Sequence, residues 1–156
     1  MYTAKEIMSS PAGSVNVEQT LQDVIELLAK NRFSGVPVVD NENKVIGVIS
    51  DTDIIRYSHQ ISVVPLSNLS GWISPHVDIS DLASMRKGFE LLHKTKVSQV
   101  MTKKVYTIHE DETATEVAQL MNRRKINRVP VVDAEDKLVG IVTRGDMVQC
   151  MANYKQ

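Results

Sequence analysis

A hydroxyl residue followed three positions later by an aspartate occurs twice in the sequence, each time after an apolar run that begins with glycine. The first pair is Ser50 and Asp53, and the second is Thr143 and Asp146. If each aspartate lies at the start of a helix, its carboxylate can accept hydrogen bonds from both hydroxyls of a vicinal diol while it interacts favourably with the helix N-terminus. The two pairs are therefore candidate binding sites for a ligand that carries neighbouring hydroxyl groups.

The other reactive side chains show no pattern typical of a catalytic or metal site. The four histidines lack paired metal-ligand spacing, and the single cysteine, Cys150, cannot complete a cysteine-based zinc site. We expect Cys150 to pack in a late helix. The run Arg123-Arg124-Lys125 is expected to end a helix, where positive charge complements the dipole, and a patch for phosphate or an acidic partner is the alternative. An enzyme is therefore the least favoured function class.

Both hydroxyl and aspartate pairs belong to a tandem duplication. Residues 36–53 and 129–146 share nine identities over eighteen positions, in a register offset by 93 residues that runs without a gap from Met8 and Met101 onward. The remaining positions mostly keep apolar or hydroxyl character. The chain is therefore predicted to contain two copies of one structural unit, which is too small to be stable alone and packs with its duplicate.

Each copy is predicted to contain a short strand, a helix, two strands and a second helix. Thr20 and Thr113 are predicted helix caps followed by an acid at the third helical position, and the second, with Glu116, forms a true capping box. Apolar residues at helical spacing follow each cap. Two β-branched runs separated by a polar turn come next in each copy and predict hairpins over residues 36–50 and 129–143. The second helices are expected to start at Asp53 and Asp146.

Residues 58–97 form a connector that has no counterpart in the second copy. A helix is predicted after Ser80, with apolar residues along one side; these are Leu82, Met85, Phe89 and Leu92. A bare loop of this length is unusual inside a compact domain, so the connector should be partly ordered. It is interpreted as a covering linker, and a partner-binding or lid element anchored by Trp72 is the alternative.

Composition limits the class of protein. The chain has 156 residues, of which 42% are hydrophobic, with a net charge of −1. That length suits one ordinary globular module, and the charge gives no general attraction to nucleic acid or to an anionic membrane. No apolar run approaches the roughly 20 residues needed to span a bilayer, and no signal core is present at the N-terminus. We therefore expect a cytosolic protein.

The repeated string Val-Pro-Val-Val-Asp, a turn, and an apolar run ending in Ser/Thr-x-x-Asp resembles the CBS domain, and two copies in one chain resemble the CBS pair called a Bateman module. Both copies also carry the opening of that family, as Glu6-Ile7-Met8-Ser9 and as Gln99-Val100-Met101-Thr102. The resemblance implies a stand-alone CBS-pair protein of the α+β class. Each CBS domain would have a small three-stranded sheet with two helices, and the two would pack with pseudo-twofold symmetry. The implied division is 1–57 for the first CBS domain, 58–97 for the connector and 98–152 for the second CBS domain.

The resemblance further implies two composite clefts for adenosine-containing ligands, namely AMP, ADP, ATP or S-adenosylmethionine, whose ribose diol would bind the aspartate. The residues expected in the better cleft are Thr143, Asp146, Arg128, Asn127, Ser9, Ser14, Phe33 and Ser34. Those expected in the second cleft are Ser50, Asp53, Thr102, Thr107 and Ile126, with Asn127 also on its base side. Alternatively, Phe33 and Ile126 end helices in the core, and Ser9 and Thr102 are helix or turn caps.

The two copies differ just before the Val-Pro string, where members of the family often carry a basic or imidazole-bearing pair. The second copy has Asn127-Arg128, whereas the first has Ser34-Gly35. A guanidinium can bind phosphate oxygens in a bidentate way, so phosphate is expected to prefer the Arg128 side. The alternative for Arg128 is a solvated surface charge. The second cleft is expected to be empty or suited to a ligand without phosphate.

The favoured function is a regulatory ligand sensor, in which an adenosine-type ligand favours one arrangement of the pair and changes how a partner protein docks. A constitutive interaction or dimerisation scaffold without ligand is the alternative. Homodimerisation is expected from the resemblance, and neither a metal nor a cofactor is expected. The sequence leaves open the partner and the phosphate state of the ligand.

Overall fold

The structure is a computed structural model that describes residues 1–61 and 79–154, with the side chains of residues 79–85 excepted. Trp72, the candidate anchor of the connector, lies outside the described residues, as do the side chains of Leu82 and Met85.

The first copy contains three helices and a three-stranded sheet of order β1-β2-β3. Its elements are α1 (Ala4–Ile7), β1 (Val15–Asn16), α2 (Leu21–Asn31), β2 (Gly35–Val39), β3 (Val45–Ser50) and α3 (Asp51–Gln60). The connector contributes α4 (Ile79–Lys94).

The second copy repeats this order of elements. They are α5 (Val97–Val100), β4 (Ile108–His109), α6 (Ala114–Arg124), β5 (Arg128–Val132), β6 (Leu138–Thr143) and α7 (Arg144–Asn153). In the sheet β4-β5-β6, β4 runs parallel to β5, and β5 pairs with β6 as an antiparallel hairpin. The predicted α+β fold with one three-stranded sheet per copy is confirmed.

The chain divides into two compact units that do not follow the order of the repeats. Unit 1 comprises Met1–Ser14, Val39–Gly47 and Lys104–Gln156, and unit 2 comprises Val15–Val38 and Val48–Lys103. The opening segment of the first copy, Met1–Ser14, therefore lies with the sheet of the second copy. The opening segment of the second copy, which ends at Lys103, lies with the last part of β3. Because the two segments are exchanged, neither sheet is completed by its own repeat alone.

Backbone hydrogen bonds hold each exchanged segment in place. In unit 1, Ser9 N donates to Ile141 O (2.9 Å) and Ile141 N donates to Ser9 O (3.1 Å). In unit 2, Thr102 and Val48 make the same reciprocal pair at 2.9 and 3.0 Å. These bonds add a bridge to the free edges of β6 and β3.

The cores of the two units use equivalent positions of the repeat. Unit 1 is centred on a cluster of buried side chains, and α1 contributes Ala4 to it; the other members are Ile108, Val117, Met121, Val129, Val131, Val142 and Met147. The buried positions in unit 2 include their counterparts; these are Val97, Val15, Val24, Leu28, Val36, Val38, Ile49 and Ile54. The apolar stripes predicted on α2 and α6 are thus the faces that are buried.

Several predicted helix boundaries need correction. Helices α3 and α7 begin at Asp51 and Arg144, two residues before the predicted starts, because Ser50 and Thr143 are their N-caps. Thr20 also heads a complete capping box: Asp23 Oδ2 accepts hydrogen bonds from Thr20 N (2.8 Å) and Thr20 Oγ1 (2.9 Å). The shorter aspartate side chain therefore accepts the same two hydrogen bonds as the glutamate of α6.

Helix α4 confirms the helix predicted in the connector. Leu92 is buried, but Phe89 is 51% exposed and does not belong to the packed face. Among the described helices, none is long and apolar enough to cross a membrane.

Candidate functional site

Thr143 and Asp146 form the N-terminal cap of α7. Asp146 Oδ2 accepts hydrogen bonds from Thr143 N (2.7 Å) and Thr143 Oγ1 (2.7 Å), while Asp146 N donates to Thr143 Oγ1 (3.3 Å). Sequence reasoning assigned these residues to a ligand and missed their capping role. The signal was present, since Thr-x-x-Asp before a helix is the pattern already used to place α2.

The capping bonds use only one oxygen of the Asp146 carboxylate. Both of them end on Oδ2, and neither uses Oδ1. An ionised carboxylate can accept about four hydrogen bonds, so the cap leaves acceptor capacity on Asp146. The same side chain can therefore cap the helix and accept hydrogen bonds from a hydroxylated ligand.

Strand pairing places Arg128 and Ser9 on either side of the end of β6. Arg128 is the cross-strand partner of Thr143, and Ser9 pairs with Ile141 on the other edge of β6. Directly opposed residues of an antiparallel pair point to the same face, and residues two apart on a strand also share a face. The side chains of Arg128, Thr143, Ile141 and Ser9 therefore lie on one face, opposite to the buried Val142.

A close approach fixes the opening segment on β6. A Cβ atom added at Gly140 would lie 2.3 Å from Met8 Sδ and 3.1 Å from Ser9 O. Only glycine lets Met8 and Ser9 lie this close to the strand. Gly140 therefore positions Ser9 beside the candidate site.

Asn127 is engaged by a residue that sequence reasoning did not single out. Arg144 Nη1 donates to Asn127 Oδ1 (3.2 Å), and Arg144 N donates to Asn127 O (3.1 Å). The second copy thus carries two guanidinium groups next to Thr143, from Arg128 and Arg144. The corresponding residues of the first copy are Gly35 and Asp51, so these two arginines are specific to the second copy.

In unit 2, Ser50 and Asp53 form the same capping box. Asp53 Oδ2 accepts hydrogen bonds from Ser50 N and Ser50 Oγ, both at 3.0 Å. Its other oxygen is also engaged: Thr102 Oγ1 donates to Asp53 Oδ1 (3.4 Å), and Arg56 Nη1 lies 3.8 Å from it. The Asp53 side chain is only 12% exposed. The structure thus brings Ser50, Asp53 and Thr102 together, with less free acceptor capacity than at Asp146.

The remaining predicted site residues are distributed between the two units. Ser14 ends the opening segment in unit 1, and Thr107, also in unit 1, is exposed just before β4. Ile126 packs against the core of unit 1, as the alternative interpretation proposed. Phe33 and Ser34 belong to unit 2, where Phe33 is 44% exposed and does not end α2 in the core.

A concavity of about 170 Å³ opens beside Asp146 in unit 1. Asp146, Gln149 and Cys150 of α7 form one wall, and Tyr2, Glu6 and Ile7 contribute from the opening segment. Glu6 belongs to the capping box of α1, in which its carboxyl accepts hydrogen bonds from the backbone N–H and the hydroxyl of Thr3. These bonds, that of the backbone N–H first, lower the pKa of the Glu6 carboxyl. Cys150 is partly buried, and the part of the chain that the structure describes holds no cluster of potential metal ligands.

The fold is that of a known family. The sequence profile of the CBS domain matches residues 4–60 and 97–153. The chain belongs to the CBS domain family and carries two copies of the domain.

Two relatives illustrate the extent of the similarity. The chain is 36% identical to the uncharacterized protein MJ1426 of Methanocaldococcus jannaschii over 151 residues, which cover 94% of this chain and 89% of the relative. It is 31% identical to the chloroplastic CBS domain-containing protein CBSX1 of Arabidopsis thaliana, covering 100% of this chain and 66% of that protein.

Two solved structures contain ligands and match the whole fold. The crystal structure of CBSX2 in complex with AMP superposes with a TM-score of 0.72 at 25% identity and covers 100% of both chains. The CBS domain pair of protein MJ0100, in complex with 5-methylthioadenosine and S-adenosyl-L-methionine, superposes with a TM-score of 0.72 at 26% identity and covers 99% of both chains.

Proposed function

We propose that the protein is a regulatory module that binds an adenosine-containing ligand at the N-terminus of α7. The main support is the Asp146 carboxylate, whose cap uses one oxygen and leaves the other to accept hydrogen bonds from a ribose diol. The two structurally similar proteins bound to AMP and to S-adenosylmethionine carry ligands of this chemistry. Ser14, Phe33 and Ser34 stay predicted contacts of this ligand.

We assign the phosphate side of the ligand to Arg128. Its pairing with Thr143 sets it on the same face as the cap, and a guanidinium matches phosphate oxygens in charge and geometry. Arg144 adds a second positive charge nearby. The Ser50 and Asp53 site, with Thr102, Thr107 and Ile126 as its other predicted residues, lacks both arginines and is proposed to bind phosphorylated ligands more weakly.

A scaffold that binds no ligand is the second candidate. The observation that favours it is the capping itself, because helix capping alone is a sufficient reason for the hydroxyl and aspartate residues in both copies. Under this alternative the two pairs stabilise α3 and α7 and bind nothing else. A catalytic function has no comparable support.

Ligand-dependent thermal unfolding separates the two functions. A ligand at 100 times its dissociation constant should stabilise the folded state by about 2.7 kcal/mol, or several degrees in Tm for a chain of this length. The sensor predicts such a shift with at least one of AMP, ADP, ATP and S-adenosylmethionine. Arg128→Ala should reduce the shift for the phosphorylated ligands and spare that for S-adenosylmethionine. No shift with any of the four would favour the scaffold.

The regulated partner and homodimerisation belong to the same proposal. A ligand that binds two arrangements of the protein with different affinities would change the affinity for the partner, and the partner would change the affinity for the ligand by the same factor. The exposed Ile55 and Phe89 of unit 2 give apolar surface for association of two copies. Sedimentation equilibrium should then show a dimer.

A further inference from the structure

Two cations lie against the ring of Tyr106 in unit 1. The guanidinium carbon of Arg124, the last residue of α6, is 4.5 Å from the ring centroid, and Lys104 Nζ is 5.9 Å from it. Arg123, the preceding residue of α6, is also exposed. We call Lys104, Tyr106, Arg123 and Arg124 the Tyr106 patch.

The cations of the Tyr106 patch are stacked on an aromatic ring instead of being paired with carboxylates. The ion pairs formed between described residues involve none of its members. A ring face attracts a cation through its quadrupole but does not neutralise the positive charge. Because Lys104 and Arg124 lie on one ring, their charges are at most about a Debye length of 8–10 Å apart. Both cations can therefore act on the same bound anion.

The fold of the repeat does not require this patch. At the positions of the two stacked cations the first copy has Pro11 and Asn31, and Gly13 stands in place of the ring. Asn31 Nδ2 donates instead to Leu27 O of its own helix (2.9 Å). The same unit is thus built with and without the stacked cations, so their charges are not needed for the fold.

The Tyr106 patch is a surface distinct from the concavities of unit 1. None of its four residues lines the concavity beside Asp146 or the apolar concavity of about 430 Å³ between α6 and α7. An occupant of the patch therefore needs neither of these two concavities.

The positive charge is confined to one end of unit 1. The opposite end of the sheet carries Glu110, Asp111, Glu112 and Asp133 around a concavity of about 500 Å³. Helix α6 runs from that end to the patch, and at 1.5 Å per residue its 11 residues separate the two by about 16 Å. A long polyanion that followed α6 would meet these carboxylates, whereas a short acidic segment would meet only the patch.

The ring itself also favours an acidic peptide over nucleic acid. Single-stranded nucleic acid gains much of its affinity from bases stacked on aromatic side chains. The face of Tyr106 under Arg124 is already occupied by the guanidinium. Carboxylates need no ring face, because they bind the guanidinium groups directly by charge-assisted hydrogen bonds.

We propose that the Tyr106 patch binds an acidic segment of a partner protein, in which several carboxylates are close in sequence. Clusters of arginine are a recurring means of recognising acidic motifs. In this patch the ring of Tyr106 positions Lys104 and Arg124 for that contact. The proposal rests on the proposed function only for the existence of a partner, and it requires no ligand at Asp146.

The test uses short fluorescein-labelled peptides and the full chain without nucleotide. One peptide carries a run of glutamates, and its match has glutamines in their place. Fluorescence anisotropy at about 50 mM salt should show saturable binding of the glutamate peptide, at least about tenfold tighter than the glutamine peptide. Raising the salt to about 150 mM should weaken the binding of the glutamate peptide.

Two double variants with the same change in net charge locate the binding surface. Lys104→Gln with Arg124→Gln removes the stacked cations and should weaken the glutamate peptide about fivefold to tenfold. Lys44→Gln with Lys137→Gln removes two exposed cations just before β3 and β6, also in unit 1. This control should change the affinity less than about twofold.

Substitutions of Tyr106 test whether the ring positions the cations. Tyr106→Leu keeps an apolar side chain but removes the ring, and it should weaken the glutamate peptide about threefold. Tyr106→Phe keeps the ring and should bind like the unmodified protein. Circular dichroism confirms that each variant folds.

Equal binding of the glutamate and glutamine peptides would overturn the proposal. An equal loss in the two double variants would also overturn it, since the attraction would then be general. The same holds if a thymidine oligonucleotide of equal charge binds more tightly than the glutamate peptide and loses affinity in the Lys104 and Arg124 variant.

Competition with AMP separates the patch from the proposed ligand site. AMP should not displace the glutamate peptide, and displacement would overturn the proposal because the peptide would then occupy the ligand site. A direct titration with AMP is read separately. Its failure would contradict the proposed function, whereas failure of the glutamate peptide to bind would contradict only the assignment of the Tyr106 patch.

Discussion

Replacing Gly140 by alanine should destabilise unit 1 by forcing the opening segment away from β6. The new Cβ would lie 2.3 Å from Met8 Sδ and 2.8 Å from Met8 Cγ, whereas ordinary contacts between such atoms are about 3.5–4 Å. The methionine side chain can rotate away, but Ser9 O at 3.1 Å is backbone and is held by Ile141 N. Overpacking of this kind costs about 1–3 kcal/mol.

Urea unfolding followed by circular dichroism measures this cost, and a second glycine of the same unit supplies the control. At Gly145, in α7, the nearest atom to an added Cβ is Thr143 Oγ1 at 3.5 Å, so Gly145→Ala should be neutral or stabilise by up to about 1 kcal/mol. In a Met8→Ala background, Gly140→Ala should cost clearly less, because only the contact with Ser9 O remains. A neutral Gly140→Ala, or an equal cost in both backgrounds, would refute the reasoning.

Two further predictions concern the helix caps. Thr20→Ala removes the hydroxyl that caps α2 and should lower stability by about 0.5–2 kcal/mol, measured by the same unfolding assay; a change within error would show that the cap is dispensable. The pKa of the Glu116 carboxyl is lowered because the carboxyl accepts hydrogen bonds from Thr113, of which the bond from the backbone N–H has the larger effect and the bond from the hydroxyl the smaller. Its contribution to stability is therefore present above its ordinary pKa of 4.5 and is lost as the pH falls through the lowered value. Glu116→Gln should flatten the fall of Tm below about pH 4.5. An equally steep fall of Tm in the variant and in the unmodified protein would contradict this.

The repeat explains why so much of the fold could be predicted from the sequence. Val24 and Val117 recur at the same place in two helical stripes, and both are buried. Local periodicity and turn residues determine such positions. Because the same pattern occurs in both copies, each copy supports the structure predicted for the other. Boundaries were less well predicted where two physical roles compete for one residue, as at Thr143, which can cap a helix or bind a ligand.

Long-range contacts could not be predicted from local patterns. Ser9 pairs with Ile141, far along the chain, and nothing in the local sequence distinguishes that partner from the Val48 edge in its own copy. Similarly, the bond from Arg144 to Asn127 depends on a side-chain conformation that the sequence does not specify. The family resemblance grouped Thr102 with Asp53, whereas the extra contact of Arg56 with that carboxylate appears only in the structure.

Isothermal titration with AMP tests the central proposal most directly when Asp146→Asn is compared with Asp53→Asn and with Glu116→Gln as a cap control. Asparagine keeps an oxygen for the cap but loses the charge and half of the acceptor oxygens that a ribose diol would use. We predict saturable binding to the unmodified protein and to Glu116→Gln, a small effect of Asp53→Asn, and at least a tenfold loss of affinity for Asp146→Asn. Equal AMP affinity of the unmodified protein and Asp146→Asn would contradict the assignment of the ligand site to the N-terminus of α7.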